Sequence, residues 1–176
     1  MADQADGVAA AGNSGTAPPQ IFNIQKIYLK DCSFEAPYSP DIFRSEWKPE
    51  VSVDLSTETR KLADHTYESI LKVTVTAKND DKVAYLCEVQ QGGVVTIQGF
   101  EANTLEALLG SYTPSSLFPY AREAVSALIS KGGFPAMVLQ PVNFDALYLQ
   151  KKREQMKSQE ASGEDAGSGQ TEQPSS

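Results

Sequence analysis

From Glu50 the chain alternates strictly, with Val51, Val53 and Leu55 on one side and Glu50, Ser52, Asp54 and Ser56 on the other. A period of two marks a half-buried antiparallel strand. The run from Thr66 to Lys78 repeats it, setting Tyr67, Leu71, Val73 and Val75 against Glu68, Lys72, Thr74 and Thr76, and it ends at the turn signal Asn79, Asp80, Asp81. A hairpin follows from that signal. The return strand, Lys82 to Gln91, puts Tyr85, Cys87 and Val89 on one face and Leu86, Glu88 and Gln90 on the other; Gly92 and Gly93 then predict a bend or bulge before Val94 to Ile97. Upstream, Ile21 to Phe34 reads as one further strand whose alternation slips near Gln25 and Lys26, as a bulge would make it. Between these strands, Pro37, Ser39, Pro40 and Asp41 predict a loop that carries Tyr38, Phe43 and Trp47 and runs to Pro49.

At Asn103 the period changes to that of a helix. Asn103 is the predicted cap, and Leu105, Leu108, Leu109 and Tyr112 form one stripe that Pro114 is expected to interrupt. A second apolar helix is predicted from Leu117 to Ser130, closed by Gly132 and Gly133, and a third from Asn143, turning basic at Lys151, Lys152 and Arg153. Four antiparallel strands followed by helices place the chain in the α+β class.

A length of 176 residues with 40% hydrophobic content suits one domain, assigned to residues 21–157, with solvated tails at 1–20 and 158–176. All 15 basic residues fall between those tails, so much of the net charge of −8 resides in the ends. An acidic chain without clustered Lys and Arg is not expected to bind nucleic acid. The first residues have no basic start and no apolar run, and no stretch would span a bilayer; a cytoplasmic protein with no direct membrane insertion is expected, its Cys32 and Cys87 free thiols.

Reactive chemistry is sparse. The single His65 follows Asp64 in a turn, without a nucleophile signature beside it, and one His with two distant Cys cannot make a zinc site. Glycine-rich phosphate loops and nucleophile elbows are missing from the sequence. No metal, no cofactor and no enzyme activity are therefore expected. What stands out is aromatic material near loops and element ends: Phe34, Tyr38, Phe43, Trp47, Phe100, Phe118 and Phe134. Together they suggest a groove or an interface.

Four segments carry a resemblance: Lys30-Asp-Cys-Ser-Phe-Glu-Ala-Pro37, Leu86-Cys-Glu-Val-Gln-Gln-Gly-Gly93, Leu117-Phe-Pro-Tyr-Ala-Arg-Glu123 and Pro141-Val-Asn-Phe-Asp-Ala-Leu147. In that order they resemble the SecB family of bacterial protein-export chaperones, over about Phe22 to Gln150. The resemblance implies a four-stranded antiparallel sheet with helices packed on one side, assembling as a dimer of dimers. It also implies a cytosolic chaperone that holds precursor proteins unfolded and delivers them to the SecA motor for translocation. Carried over by position, Asp31, Glu35, Leu86 and Glu88 match the SecA-facing surface, and Cys87, Val89 and Gln91 match the subunit interface. Trp47, Tyr85 and Tyr148 match the aromatic walls of the client groove, with Val51, Val53 and Phe144 as neighbours. Alternatives are a SecB-like chaperone dedicated to a toxin–antitoxin system, a binder of hydrophobic ligands using the same surface, and an enzyme built on a carboxylate pair.

Overall fold

The structure is a computed structural model that describes residues 19–164, with side chains to residue 158. Strands β1 (Ile21–Glu35), β2 (Glu50–Ala63), β3 (Thr66–Asn79) and β4 (Lys82–Gln98) form one antiparallel sheet in the order β1-β4-β3-β2. Helices α1 (Ala102–Ala107), α2 (Thr113–Lys131) and α3 (Phe144–Glu164) follow. The expected α+β fold, with helices packed on the sheet, is what the chain adopts.

The predicted slip in the first strand is a register shift between Ile24 and Lys26, and a second lies between Leu29 and Asp31. At the β3–β4 turn, Asp80 and Asp81 both have positive φ, 51° and 60°. That pair of left-handed residues gives a two-residue turn whose twist matches the strands it joins.

Two expectations fail, the first through contacts from distant parts of the chain and the second through local helix register. Gly92 and Gly93 do not interrupt β4, which runs unbroken through them and keeps its register with β3. A Cβ on Gly92 would stand 2.5 Å from the Tyr28 ring, and one on Gly93 2.8 Å from Leu117 Cδ2. The glycines make room on opposite faces for two large side chains. Nor does Pro114 end the helical path: it stands at the start of α2 directly after a wider turn, where the change of register accommodates its ring. Glu101, not Asn103, occupies the cap position of α1, and a wider π turn at 108–112 carries α1 into α2. Helix α3 runs on to Glu164, past the domain boundary expected at 157; the expected tails otherwise lie outside the described residues.

The core is the layer between the sheet and α2. Leu117, Ala121, Val125 and Ile129, spaced at four, are fully buried with Leu71, Val73, Val75, Cys87 and Val89. A helix about 10 Å across cannot roof four strands whose outer axes lie ~14 Å apart. Edge strand β2 therefore stays largely uncovered on the helix side. Val51 and Val53, placed by alternation on the apolar face of a half-buried strand, are 43% and 41% exposed.

Candidate functional site

Val51, Val53 and Leu55 pair with Ala77, Val75 and Val73, so all three share the face that bears α2. From Val51 to Leu55 the row extends about 14 Å at the rise of a strand. Each end meets an aromatic group. Near Val51, the loop preceding β2 presents Trp47, half-buried, with its ring 5.4 Å from that of Phe134. Phe134 also contacts Phe43 at 5.0 Å and Tyr85 at 4.9 Å, and Phe34 stacks on Tyr85 at 5.8 Å.

At the other end, Leu55 lines an open cleft of about 640 Å³ with Leu109, Phe144, Leu147 and Tyr148. Tyr148 lies against Gly110, and its ring is 5.7 Å from Lys152 Nζ. Lys152 donates to Glu106 Oε2 at 2.9 Å, closing the cleft's rim and holding the Glu106 carboxyl below its ordinary range. The three aromatic residues expected to wall a client groove are thus divided, Trp47 and Tyr85 at one end and Tyr148 at the other, with the valine row between.

Their access differs as well. Trp47 and Tyr148 present surface, but Tyr85 is only 2% exposed and lies behind Phe34 and Phe134, its hydroxyl 3.8 Å from Met137 Sδ. Phe144 is likewise buried, edge-on to Phe118. Tyr85 thus lies beneath other rings, and Phe144 adds only a small edge to the cleft lining. Leu55 and Leu147 belong to the lining; the alternation of β2 and the stripe of α3 already place them beside expected residues.

The opposite face of the sheet holds the acidic set. Glu35 pairs with Leu86, Ser33 with Glu88 and Asp31 with Gln90, so Asp31, Glu35, Leu86 and Glu88 form one contiguous patch over β1 and β4. Asp31 and Glu35 are exposed. Glu88 takes a 2.8 Å ion pair from Lys72, whose hydrogen bond lowers the Glu88 pKa. The patch offers carboxylates beside one aliphatic side chain, a surface suited to a basic partner.

Cys87 and Val89 have no exposed surface, and Gln91 has 4%. Gln91 Nε2 donates to the Tyr28 carbonyl at 2.8 Å, and burial pushes the Cys87 thiol up to about 11. The strand's two faces are those expected, but this one is roofed by the chain's own helix. Cys87 and Val89 pack in one cluster with Leu117, Ala121 and Val125 of α2. Both cysteines are free, Cys32 exposed and Cys87 buried. Among the described residues no cluster of three His, Cys, Asp or Glu is arranged to hold a metal, and no helix is long and apolar enough to cross a membrane.

A family model described as preprotein translocase subunit SecB matches residues 15–155. The protein-export protein SecB of Alkalilimnicola ehrlichii is 55% identical over 169 residues, covering 93% of this chain and 89% of that protein. That of Marinobacter nauticus is 51% identical over 160 residues, covering 91% and 95%. Among solved structures, a SecB-like chaperone of Mycobacterium tuberculosis in complex with a peptide from the HigA1 antitoxin superimposes with a TM-score of 0.58, covering 69% of this chain and 90% of that one. At 12% identity that likeness concerns the fold alone. The family model and the half-identical relatives, each spanning most of the chain, establish that this protein belongs to the SecB family of protein-export chaperones.

Proposed function

We infer that this export chaperone holds unfolded precursor polypeptide along the Trp47–Val51–Val53–Leu55–Tyr148 strip and releases it to the SecA motor docked on the Asp31–Glu35–Leu86–Glu88 patch. The observation that carries this reading is the exposed valine row on an unroofed edge strand, bracketed by aromatic groups. Contiguous apolar surface of this kind is uncommon on a protein that binds nothing. The two surfaces lie on opposite faces of one sheet, so client and motor can be engaged together. In this reading the protein works in the cytosol, without cofactor, metal or catalysis, and as a dimer of dimers. Cys87, Val89 and Gln91 act on assembly through the height and tilt of α2. The export role is preferred to service of a toxin–antitoxin pair because relatives at about half identity are export proteins, whereas the antitoxin-bound chaperone shares 12%.

A double dissociation tests the reading. Val53→Asp puts a charge in the strip and is expected to abolish suppression of aggregation of an unfolded client while leaving SecA affinity intact. Glu88→Lys is expected to weaken SecA binding about tenfold or more by calorimetry, ~1.4 kcal/mol, with client holding unchanged. Undiminished client holding by Val53→Asp refutes the strip, and undiminished SecA binding by Glu88→Lys refutes the patch.

A further inference from the structure

We propose that Asn79 is a positioning residue for the client groove, a side-chain clamp that fixes Trp47 in place; its functional half rests on the groove reading above. Asn79 ends β3 and is 1% exposed. Its side chain does not serve the adjacent turn. Lys48 N–H donates to Asn79 Oδ1 at 2.8 Å, and Asn79 Nδ2 donates to the Glu46 carbonyl at 3.0 Å. A main-chain N–H must meet the amide oxygen and a carbonyl the amide nitrogen, so these partners fix the amide's orientation without ambiguity. The two bonds bracket Trp47 from either side, as a neighbouring strand's peptide group would.

The loop has little else of this kind. Its backbone bonds are local: Ser39 to Ala36, Ile42 to Tyr38, Phe43 to Pro40 and Ser45 to Ile42. Among the described residues, the hydrogen bonds that join it to the sheet between Glu35 and Glu50 both go to Asn79. Ring packing of Trp47 and Phe43 on Phe134 adds attraction but little direction, because apolar contact tolerates sliding. A bidentate amide sets a direction and a register. A groove wall fixed before the client arrives loses less rotamer freedom on binding, so the clamp favours affinity.

Trp47 is the chain's single tryptophan, and its fluorescence reports the clamp directly. In the full chain, Asn79→Leu keeps the side chain's bulk and removes both bonds. Acrylamide quenching of Trp47 is expected to rise severalfold, its emission to shift to the red, and affinity for a carboxymethylated, permanently unfolded protein to fall about tenfold, ~1.4 kcal/mol. Asn79→Asp keeps the acceptor for Lys48 and loses the donor to Glu46, and is expected to fall between; it decides the matter if circular dichroism shows that the leucine variant does not fold. Unchanged quenching in the folded variants overturns the clamp. Freed Trp47 with undiminished client affinity overturns the positioning role, provided Trp47→Ala, measured alongside, weakens the client. If Trp47→Ala binds the client like the parent, the groove reading fails, while the quenching comparison still decides the clamp.

Discussion

Glu68 lies on the sheet face away from the helices, the side that alternation assigns to polar residues, yet it is 5% exposed. Its Oε1 accepts from Lys30 Nζ at 2.8 Å and from the Tyr28 hydroxyl, and its Oε2 forms an ion pair with Arg60 Nη2 at 2.9 Å. Tyr28 and Lys30 belong to β1, which is separated from β3 by β4; they reach across because Gly92 has no side chain to block the Tyr28 ring. The carboxylate thus fastens both edge strands to the middle of the sheet. The Lys30 and Tyr28 hydrogen bonds hold its pKa at about 2, below the ordinary 4.5, against the opposing effect of burial. Burial, then the bond to Glu68, pushes Tyr28 up to about 12, so the phenol remains a donor through neutral pH. A depressed carboxyl contributes stability that is whole above pH 4.5 and lost as pH falls from there toward 2. Glu68→Gln should lower neutral-pH stability by roughly 2 kcal/mol and flatten that acid loss, read by urea unfolding at a fixed protein concentration. An acid limb as steep as the parent's would assign the loss to other carboxylates. Alternation placed Glu68 on its face; the partners were illegible because nothing local to residue 68 shows that residues 28 and 30 cross β4.

Strands were the most legible elements, since a period of two survives in the sequence whatever packs on it, and the slip near Gln25 was visible as a break in that period. Helix boundaries were less so. Pro114 reads as a stop unless the residues before it are known to be helical in a different register, which the π turn provides. Thr113 Oγ1 donates to the Leu108 carbonyl across that turn at 2.8 Å. The widened turn has a use at the cleft: it presents Gly110 to Tyr148, where a Cβ would stand 2.5 Å from Tyr148 Cδ2. Gly110→Ala therefore has to push Tyr148, and α3 with it, away from the π turn, at about 1–3 kcal/mol of strain. The Lys152 contacts to Tyr148 and Glu106 loosen in the same movement. Hydrogen exchange is expected to show faster exchange in α3 with β3 and β4 unchanged, together with weaker client holding. Uniform loss of protection over the whole chain would instead mean that the glycine serves general stability.

At the scale of the molecule, the four matched segments carried the family, and strand parity carried the division of the sheet into a face with the valine row and a face with the acidic patch. Alternation separates two faces but cannot say which one a helix roofs, so the burial of Cys87, Val89 and Tyr85 was not readable from β4 itself. The energetics of the strip limit what one chain can do. Burying one aromatic side chain of about 200 Å² contributes roughly 5 kcal/mol at 25 cal/mol per Å². Ordering the four or so client residues that span about 14 Å costs roughly 4–8 kcal/mol in backbone entropy. The terms nearly cancel, so a single short segment binds weakly and tight holding requires several strips engaging one long client. A folded protein cannot supply several separated apolar segments at once, which makes unfoldedness itself the recognised feature. Two apolar segments joined by a flexible linker are expected to bind about 10²–10⁴ times more tightly than either alone, and to lose that gain when the linker is too short to reach a second strip. Calorimetry over a series of linker lengths checks this directly. If affinity proves indifferent to linker length, the strips act singly, and the holding of long precursors needs a different source of energy.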